Sequence, residues 1–174
     1  MMYQTTLHSP VGSLTLASNG DALTGLWLAG QKYYPEISGW EPCADLPVFR
    51  QAAAYLDAYW AQSPLPPLPP LAPAGSAFRQ AVWALLREIP YGQTTTYGAL
   101  TRQLQARGIA AAPQAVGGAV GHNPISILIP CHRVVGSGGS LTGYAGGVER
   151  KRFLLELEGV DVSRLTVPRH GTAL

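Results

Sequence analysis

Several features that would assign a sequence to a class at once are scarce here. The chain has two cysteines, Cys43 and Cys131, and neither belongs to a C-x-x-C pair. A disulfide framework and a paired-thiol redox site are therefore excluded. No apolar run approaches the roughly 18 residues of a membrane helix, and Met1–Ser18 lacks the basic start and apolar block of a signal peptide. We expect a reduced, cytoplasmic protein.

Charge is also sparse, at 13% of the residues and a net +2, but it is unevenly distributed. Residues 1–75 carry two basic side chains against five acidic ones, a net charge of −3. Residues 76–174 carry ten basic side chains against five acidic ones, a net charge of +5. A basic half favours a polyanionic partner, although many metabolic enzymes show a similar asymmetry.

The amino-terminal part has the pattern of a small antiparallel sheet. Apolar or alternating segments over residues 2–8, 13–18 and 22–28 are separated by turn-forming clusters, which predicts three consecutive strands. A helix with one apolar face is expected to follow, with Asp45 as its N-cap and Pro47 in its first turn.

A proline-dense passage, residues 63–73, comes next. Prolines at this density exclude a helix or an interior strand, so the passage is predicted to be an extended linker. A ligand for a proline-binding module is the alternative. With 174 residues and 47% hydrophobic content the chain can form two small domains. The predicted division is residues 1–63, a linker at 64–75, residues 76–160, and a polar tail at 161–174.

The second half has helical periodicity. Ser76 is expected to cap a helix, and two shorter helices, Thr95–Leu104 and Ala112–Val120, flank a turn at Arg107–Gly108. Two short helices around a turn that contains glycine predict a helix-turn-helix.

The last of these helices contains Gly117 and Gly118 in its interior, each of which costs roughly 1 kcal/mol relative to alanine. Either tight helix packing or the close approach of a ligand explains them. The helix has no charged side chain with which to recognise bases in a major groove.

The strongest chemical signal lies between Asn123 and Val135. An apolar run, Ile125–Ile129, is framed by prolines and predicts a short buried strand that ends at a cysteine, a histidine and an arginine. A thiol beside groups that can be cationic is expected to have a lowered pKa. An unreactive core cysteine is the alternative. A glycine-rich loop over residues 136–147 and a helix over Glu149–Glu158 follow.

Three motifs then occur in order: Pro130–Val134 (PCHRV) after Asn123-Pro124, Gly143–Gly147 (GYAGG), and Leu155–Gly159 (LELEG). Together they resemble the O6-alkylguanine-DNA alkyltransferases of the bacterial constitutive type. The resemblance is close over residues 76–159 and looser over the amino-terminal strands. It implies an α+β fold with a ribonuclease H-like first domain, made of a small antiparallel sheet with a helix, and a mostly helical second domain with a helix-turn-helix and an active-site strand.

The resemblance also implies a function. Such a protein extrudes an alkylated guanine from duplex DNA through a minor-groove helix-turn-helix and moves the O6-alkyl group irreversibly onto its own cysteine. It carries no cofactor and is consumed in the reaction. For this chain we also expect no metal, no obligate protein partner and a monomer. O4-alkylthymine is a second candidate substrate. Some family members bind a structural zinc in the amino-terminal half through cysteines and histidines. Here His8 and Cys43 are the only such residues before the linker, which is too few for a four-coordinate zinc site.

The resemblance further implies which residues act. Cys131 would be the nucleophile, His132 its base through a water, and Glu158 the partner of His132. Tyr144 would donate a proton to the leaving guanine, and Asn123 would join the DNA-binding helix to the active-site strand. The residues expected around the flipped base are Tyr97, Val134, Ala145, Gly146 and Gly147. Those expected to contact DNA are Thr95, Arg133, Gln114, Ala115, Gly117 and Gly118.

One position departs from the family pattern. Gln114 occupies the place of an arginine that fills the gap left by the flipped base. We therefore expect a lower affinity for DNA, with Arg107 as a candidate substitute.

Three other functions remain to be weighed. A non-enzymatic lesion-recognition protein of similar fold would lack the cysteine, which this chain keeps. A cysteine hydrolase or acyltransferase would leave the helix-turn-helix unexplained, and a plain DNA-binding regulator would not need the catalytic residues.

Overall fold

The computed structural model describes residues 1–167. By their contacts these residues form two units. The first is Met1–Ala74 together with Pro124–Leu128, and the second is Gly75–Asn123 together with the described residues from Ile129 onward. A short segment from the second half of the chain thus belongs to the first unit. The domain limits predicted from the sequence stay a prediction.

The first unit is built on a four-stranded sheet of order β3-β2-β1-β4. The three predicted antiparallel strands are present as β1 (Tyr3–Leu7), β2 (Leu14–Ser18) and β3 (Leu23–Leu28). The fourth strand, β4 (Glu41–Pro42), runs parallel to β1. It has only two residues and contains a proline, so no periodicity could indicate it.

Helix α1 (Pro47–Trp60) packs against β2 through the apolar face that its sequence predicts. Its N-cap is Leu46, with no side-chain hydrogen bond, so the prediction of Asp45 as N-cap is wrong by one residue. Pro47 occupies the start of the helix, as expected, because its fixed φ suits that position and it has no N–H to leave unpaired.

The proline-rich passage pairs with the sheet instead of spanning open solvent. The Leu23 N–H donates to the Pro70 carbonyl at 2.8 Å, and the Ala72 N–H donates to the Leu23 carbonyl at 2.8 Å. Both the N–H and the carbonyl of Leu23 are thereby hydrogen-bonded to this passage, and Pro69 is buried. The passage is extended, as predicted, but it is fixed to the first unit.

The segment Pro124–Leu128 also pairs with β3. The Leu26 N–H donates to the Pro124 carbonyl at 2.8 Å, and the Ser126 N–H donates to the Leu26 carbonyl at 3.0 Å. The predicted strand over Ile125–Ile129 is wrong, because only Ile125 forms a β-bridge and the chain then turns, with Ile127 at φ +71°. The predicted burial of this apolar run is confirmed.

The second unit is mostly helical. Its elements are α2 (Ala77–Leu86), β5 (Thr95–Thr96), α3 (Tyr97–Ala106), α4 (Pro113–Gly121), a 3-10 turn (Cys131–Arg133), β6 (Val134–Val135), a second 3-10 turn (Ser137–Gly139), α5 (Val148–Leu157) and a third 3-10 turn (Val162–Arg164). Helices α2, α3 and α4 pack on one another, and the indole N–H of Trp83 donates to the Ala119 carbonyl at 2.8 Å.

Two caps define the helix starts in this unit. Ser76 Oγ accepts from the Arg79 N–H at 3.2 Å, which confirms Ser76 as the N-cap of α2. Thr96 Oγ1 accepts from the Ala99 N–H at 3.0 Å. The helix predicted to begin at Thr95 therefore starts two residues later, because β5 pairs in parallel with β6.

The predicted tail is ordered in its described part. The Leu141 N–H donates to the Thr166 carbonyl at 2.7 Å, and Val160, Val162 and Leu165 pack against a buried cluster formed by Val135, Leu141 and Leu155. Val162 and Leu165 thus join a small core, while the other residues of 161–167 are exposed. The tail from residue 161 stays a prediction. Residues 168–174 lie outside the described part of the chain. Within residues 1–167 no helix combines the length and the apolar character needed to cross a membrane.

Candidate active site

Cys131 begins a 3-10 turn immediately after Pro130, where the chain bends at φ −82° and ψ 65°. The Cys131 N–H donates to the Ile129 carbonyl at 2.8 Å, and only 6% of the residue is exposed. The cysteine is therefore held by a backbone turn within the second unit. A thiol in this setting is protected from solvent.

His132 and Glu158 form the shortest described side-chain pair at the site. The Nε2 atom of His132 lies 2.6 Å from Oε2 of Glu158, and both side chains are fully buried. Because a carboxylate can only accept, the proton of a neutral His132 is on Nε2. The other ring nitrogen, Nδ1, has no hydrogen-bond partner among residues 1–167. That nitrogen is a base with an open lone pair.

Glu158 is the C-cap residue of α5, and Gly159 behind it has φ +87°. The conformation of Gly159 is one that a residue with a side chain seldom adopts, so the helix ends there. This termination leaves the Glu158 side chain in the interior. The closing helix predicted over Glu149–Glu158 is thus correct to within one residue at each end.

Arg133 is bound inside the site by three hydrogen-bonded contacts with Glu158 and Ile89. Its Nε donates to Glu158 Oε1 at 2.7 Å and its Nη2 donates to Oε2 at 3.1 Å, while Nη1 donates to the Ile89 carbonyl at 2.8 Å. Only 8% of the residue is exposed. Each of the three guanidinium nitrogen atoms thus bonds to an interior acceptor. A contact of Arg133 with DNA stays a prediction.

Lys151 is a part of the site that sequence reasoning missed. The side chain is fully buried, and its Nζ donates to the carbonyls of Val134 and Thr142, the latter at 2.8 Å. Burial lowers the pKa of Lys151 to about 8, against an opposing effect of Cys131. One feature of the sequence could have indicated its burial. Lys151 lies three and four residues before Leu154 and Leu155, and so on the apolar face of α5.

The charges around Cys131 act in opposite directions on its thiol. Burial raises the pKa of Cys131 and outweighs a hydrogen bond from the Asn123 side chain, the charge of Lys151 and two backbone N–H groups, all of which lower it. The predicted lowered pKa is therefore wrong, since desolvation dominates at this buried site. At rest the group is a thiol that needs a base.

The same environment keeps His132 neutral. Burial lowers the pKa of His132, the hydrogen bond and charge of Glu158 raise it, and the charges of Arg133 and Lys151 lower it further. The net shift is downward. A neutral imidazole with Nδ1 unprotonated can accept a proton at physiological pH.

Asn123 lies beside the thiol. Its Nδ2 donates to the Ile129 carbonyl at 2.8 Å, and its side chain also forms the hydrogen bond that favours the Cys131 thiolate. The residue is buried and directly follows the C-cap of α4, His122. Asn123 thereby links the end of α4 to the turn that carries the cysteine.

Tyr97 and the glycine-rich loop meet next to this turn. The Tyr97 hydroxyl donates to the Thr142 carbonyl at 2.8 Å, and a Cβ on Gly143 would lie 2.5 Å from that hydroxyl oxygen. Burial, and then Cys131, raise the pKa of Tyr97 far above its ordinary value. Tyr97 is therefore a neutral donor, and only glycine fits at position 143.

The remaining residues expected around the base lie in the same unit. Tyr144 is buried, and the Gly147 N–H donates to its carbonyl at 3.0 Å, which closes a turn over Ala145 and Gly146. The Val134 carbonyl already accepts from Lys151 and keeps a second lone pair. Their contact with a base stays a prediction.

Helix α4 presents a small, uncharged face to solvent. Gln114, Ala115 and Gly118 are exposed and Gly117 is half-buried. A Cβ added at Gly117 or Gly118 would meet nothing within 4 Å beyond the helix's own nearby backbone in the part of the chain described. Tight packing within the described residues therefore does not explain these glycines, and the approach of an external ligand remains.

Two further predicted DNA contacts have other surroundings. Thr95 is half-buried in β5. Arg107, the candidate substitute for the missing arginine, forms an exposed ion pair with Glu88 at 3.3 Å. Neither observation tests their contact with DNA. In residues 1–167 no group of three or more potential metal ligands comes together, and the absence of a metal stays a prediction.

Comparisons with known proteins identify the family of this chain. Residues 77–160 match the family model described as "6-O-methylguanine DNA methyltransferase, DNA binding domain", and residues 2–71 match the model of the ribonuclease-like domain of the same enzyme. Together the two models cover most of the chain. The chain belongs to the 6-O-methylguanine DNA methyltransferase family.

Individual relatives support this membership. The methylated-DNA–protein-cysteine methyltransferase of Mycobacterium tuberculosis is 47% identical over 158 residues, which are 91% of this chain and 93% of the relative. The Haemophilus influenzae protein of the same name is 43% identical over 160 residues, 91% of this chain and 87% of the relative. A crystal structure of Mycobacterium tuberculosis OGT in complex with DNA has a TM-score of 0.80 and 44% identity, and covers 94% of each chain. The predicted α+β fold class and family are confirmed.

Proposed function

We propose that this protein repairs alkylated DNA directly, by moving the alkyl group from O6 of a guanine in duplex DNA onto Cys131. The family carries out this class of reaction. The observation that supports its assignment to these residues is the arrangement around Cys131: a buried thiol followed by a neutral histidine, whose tautomer Glu158 determines at 2.6 Å.

The reaction balances with these groups. The thiol proton passes through a water to Nδ1 of His132, and the sulfur attacks the alkyl carbon. The carbon–O6 bond breaks, its electrons remain on the guanine, and the base takes a proton for which Tyr144 is the proposed donor. A thioether on Cys131 and an unmodified guanine result. Because the thioether is not cleaved again, each molecule reacts once.

The DNA surface is proposed to be the exposed face of α4. The face is uncharged and bears two glycines, so a nucleic acid backbone can approach it closely. The minor groove offers few hydrogen-bond groups that distinguish one base pair from another. A helix without charged side chains can therefore bind there through its shape, without recognising individual bases. Asn123 would connect this DNA-binding helix to the turn that carries Cys131.

An intact-mass measurement tests the proposal. Incubation with duplex DNA that contains O6-methylguanine should add one methyl group per protein molecule, and Cys131→Ser should add none. Cys43→Ser is the matched control, because Cys43 is the other cysteine and should leave transfer unchanged. Repeated turnover without a change in protein mass would contradict the proposal. O4-methylthymine duplex in the same assay tests the second candidate substrate.

The non-enzymatic alternative is not favoured. A protein that only recognises the lesion has no need of a reactive cysteine, whereas here Asn123 and Lys151 favour the Cys131 thiolate and a His132–Glu158 pair follows it in the chain. We further propose that the protein acts in the cytoplasm as a monomer, without a cofactor or an obligate protein partner. The two cysteines outside any C-x-x-C pair favour that reducing location.

A further inference from the structure

We infer that Arg133 is a positioning residue for alkyl transfer: it holds the Glu158 carboxylate in place for His132, and its positive charge keeps His132 free to accept the Cys131 proton. This inference rests on the proposed function. It assigns a role to an arginine that the sequence motif alone placed on the DNA surface.

The first support is the geometry of the carboxylate. The donors to the Glu158 carboxylate include His132 Nε2 at 2.6 Å, Arg133 Nε at 2.7 Å, Arg133 Nη2 at 3.1 Å and the Gly92 N–H at 3.3 Å. The two contacts from Arg133 reach different carboxylate oxygens, which prevents the group from rotating. Nη1 on the Ile89 carbonyl in turn fixes the guanidinium. A lysine has no such fork and would leave the carboxylate free to turn.

The second support is the position of Tyr91 over the Arg133–Glu158 ion pair. The ring of Tyr91 lies over the guanidinium, with its centroid 5.7 Å from the Arg133 Cζ atom, and its hydroxyl donates to the Leu157 carbonyl at 3.4 Å. Gly92 makes this close approach possible, because at φ +79° a side chain is disfavoured and a Cβ would lie 3.1 Å from the Glu158 carbonyl oxygen. The turn after α2 therefore shields the Arg133–Glu158 pair from water.

The third support is the balance of charge around His132. The charged groups that act on it are Lys151 from α5, Glu158 at the C-cap of α5, and Arg133 from its own turn. The adjacent Cys131, and Tyr91 beside Glu158, are the other titratable groups here. Two of these groups are cations and one is an anion when the thiol is protonated. Without Arg133, the carboxylate would face the imidazole with less compensation, and an imidazolium–carboxylate pair would form at a higher pH. The base would then already be protonated before Cys131 could use it.

The test is the single-turnover rate of alkyl transfer, measured across the pH range in which histidine titrates, for the wild type, Arg133→Met, Arg133→Lys and the control Arg152→Met. Arg152 is an exposed arginine on α5. We expect the acid limb of the Arg133→Met profile to move up by about one pH unit or more, as loss of a nearby charge implies. Arg133→Lys keeps the charge, so its acid limb should stay, while its rate falls roughly tenfold or more from lost orientation. Arg152→Met should match the wild type.

The outcomes are separable. If the wild type adds no alkyl group, the proposed function fails whatever Arg133 does. If the wild type reacts and Arg133→Met gives the same profile, or one lowered equally at every pH, the inference fails. Should Arg133→Met not fold, Arg133→Lys decides. A wild-type rate in that variant, or a changed His132 titration by NMR (assigned against His132→Asn), contradicts the inference. A slower rate with unchanged titration supports it.

Discussion

Glu158 Oε2 and His132 Nε2 lie 2.6 Å apart with both side chains withdrawn from solvent, although 26 residues separate them in the chain. The pair determines which nitrogen of the imidazole is free. Because burial also raises the pKa of the neighbouring Cys131, the resting site holds a thiol beside a base. Such a site is protected from oxidation until a substrate arrives.

Replacement of Glu158 by glutamine tests this pair. The amide cannot stabilise an imidazolium as a carboxylate does, and its NH2 group can reverse the histidine tautomer, so we expect the transfer rate to fall roughly 100-fold or more, the usual contribution of an oriented general base. Glu156→Gln is the matched control, since Glu156 is exposed on the same helix. A Glu158→Gln rate close to that of the control would exclude a catalytic role for the pair.

Replacement of the α4 glycines should separate stability from DNA binding. Gly117→Ala and Gly118→Ala each remove a flexible residue from a helix, and the new Cβ meets no other element, so each should raise the free energy of unfolding by up to about 1 kcal/mol. The same methyl groups should weaken binding to duplex DNA. Chemical denaturation and a DNA titration measure the two effects.

Gly92→Ala is the contrasting control. Its Cβ would lie 3.1 Å from the Glu158 carbonyl oxygen at a positive φ, so this change should destabilise the protein. Destabilisation by Gly117→Ala or Gly118→Ala would show that the glycines serve the fold. Unchanged DNA affinity in both variants would show that DNA does not approach them closely.

Much of this site could be predicted from local sequence, and the rest depends on tertiary contacts. The order of Cys131, His132 and Glu158 is carried by short motifs, so their roles could be proposed without a structure. Arg133 and Lys151 could not be placed, because only packing determines whether a charged side chain is buried.

The strand predicted over Ile125–Ile129 failed for a similar reason. An apolar run is equally compatible with a strand and with a buried turn. Here the two hydrogen bonds with Leu26 form a single β-bridge at Ile125 and no longer strand. The caps at Ser76 and Thr96, in contrast, are local interactions, and a sequence can carry them.

The pH dependence of stability should contain a contribution from Lys151. Its pKa falls from 10.5 to about 8 on folding, because burial disfavours the ammonium. Between these values the unfolded chain keeps a proton that the folded chain has released, so this group makes stability rise with pH in that window. The raised pKa of Cys131 acts in the opposite direction at alkaline pH.

Comparison with Lys151→Met isolates this contribution. The free energy of unfolding of the wild type should increase relative to that of the variant as pH rises from about 8 to 10.5. Urea denaturation at a series of pH values measures the difference. If the difference is constant across the window, Lys151 does not titrate as its burial implies.

The two cysteines should differ in reactivity toward a small alkylating reagent. Cys131 is buried and its pKa is raised, whereas Cys43 is half-buried. In the folded protein without DNA, iodoacetamide should therefore modify Cys43 first, and in urea both should react at similar rates. Peptide mapping by mass spectrometry reads out each site. Preferential modification of Cys131 in the folded protein would mean that its thiolate is already formed at rest.

We propose that Gln114 limits the affinity of the protein for DNA. It is exposed at the start of α4, where an amide offers neither a charge nor the length of a guanidinium. Gln114→Arg should tighten binding to duplex DNA that contains O6-methylguanine and steepen the salt dependence by roughly 0.9 in the logarithmic slope if the new charge contacts one phosphate. Gln51→Arg adds the same charge on α1 and controls for net charge alone. Equal affinity and slope in the wild type and Gln114→Arg would place this position outside the DNA interface.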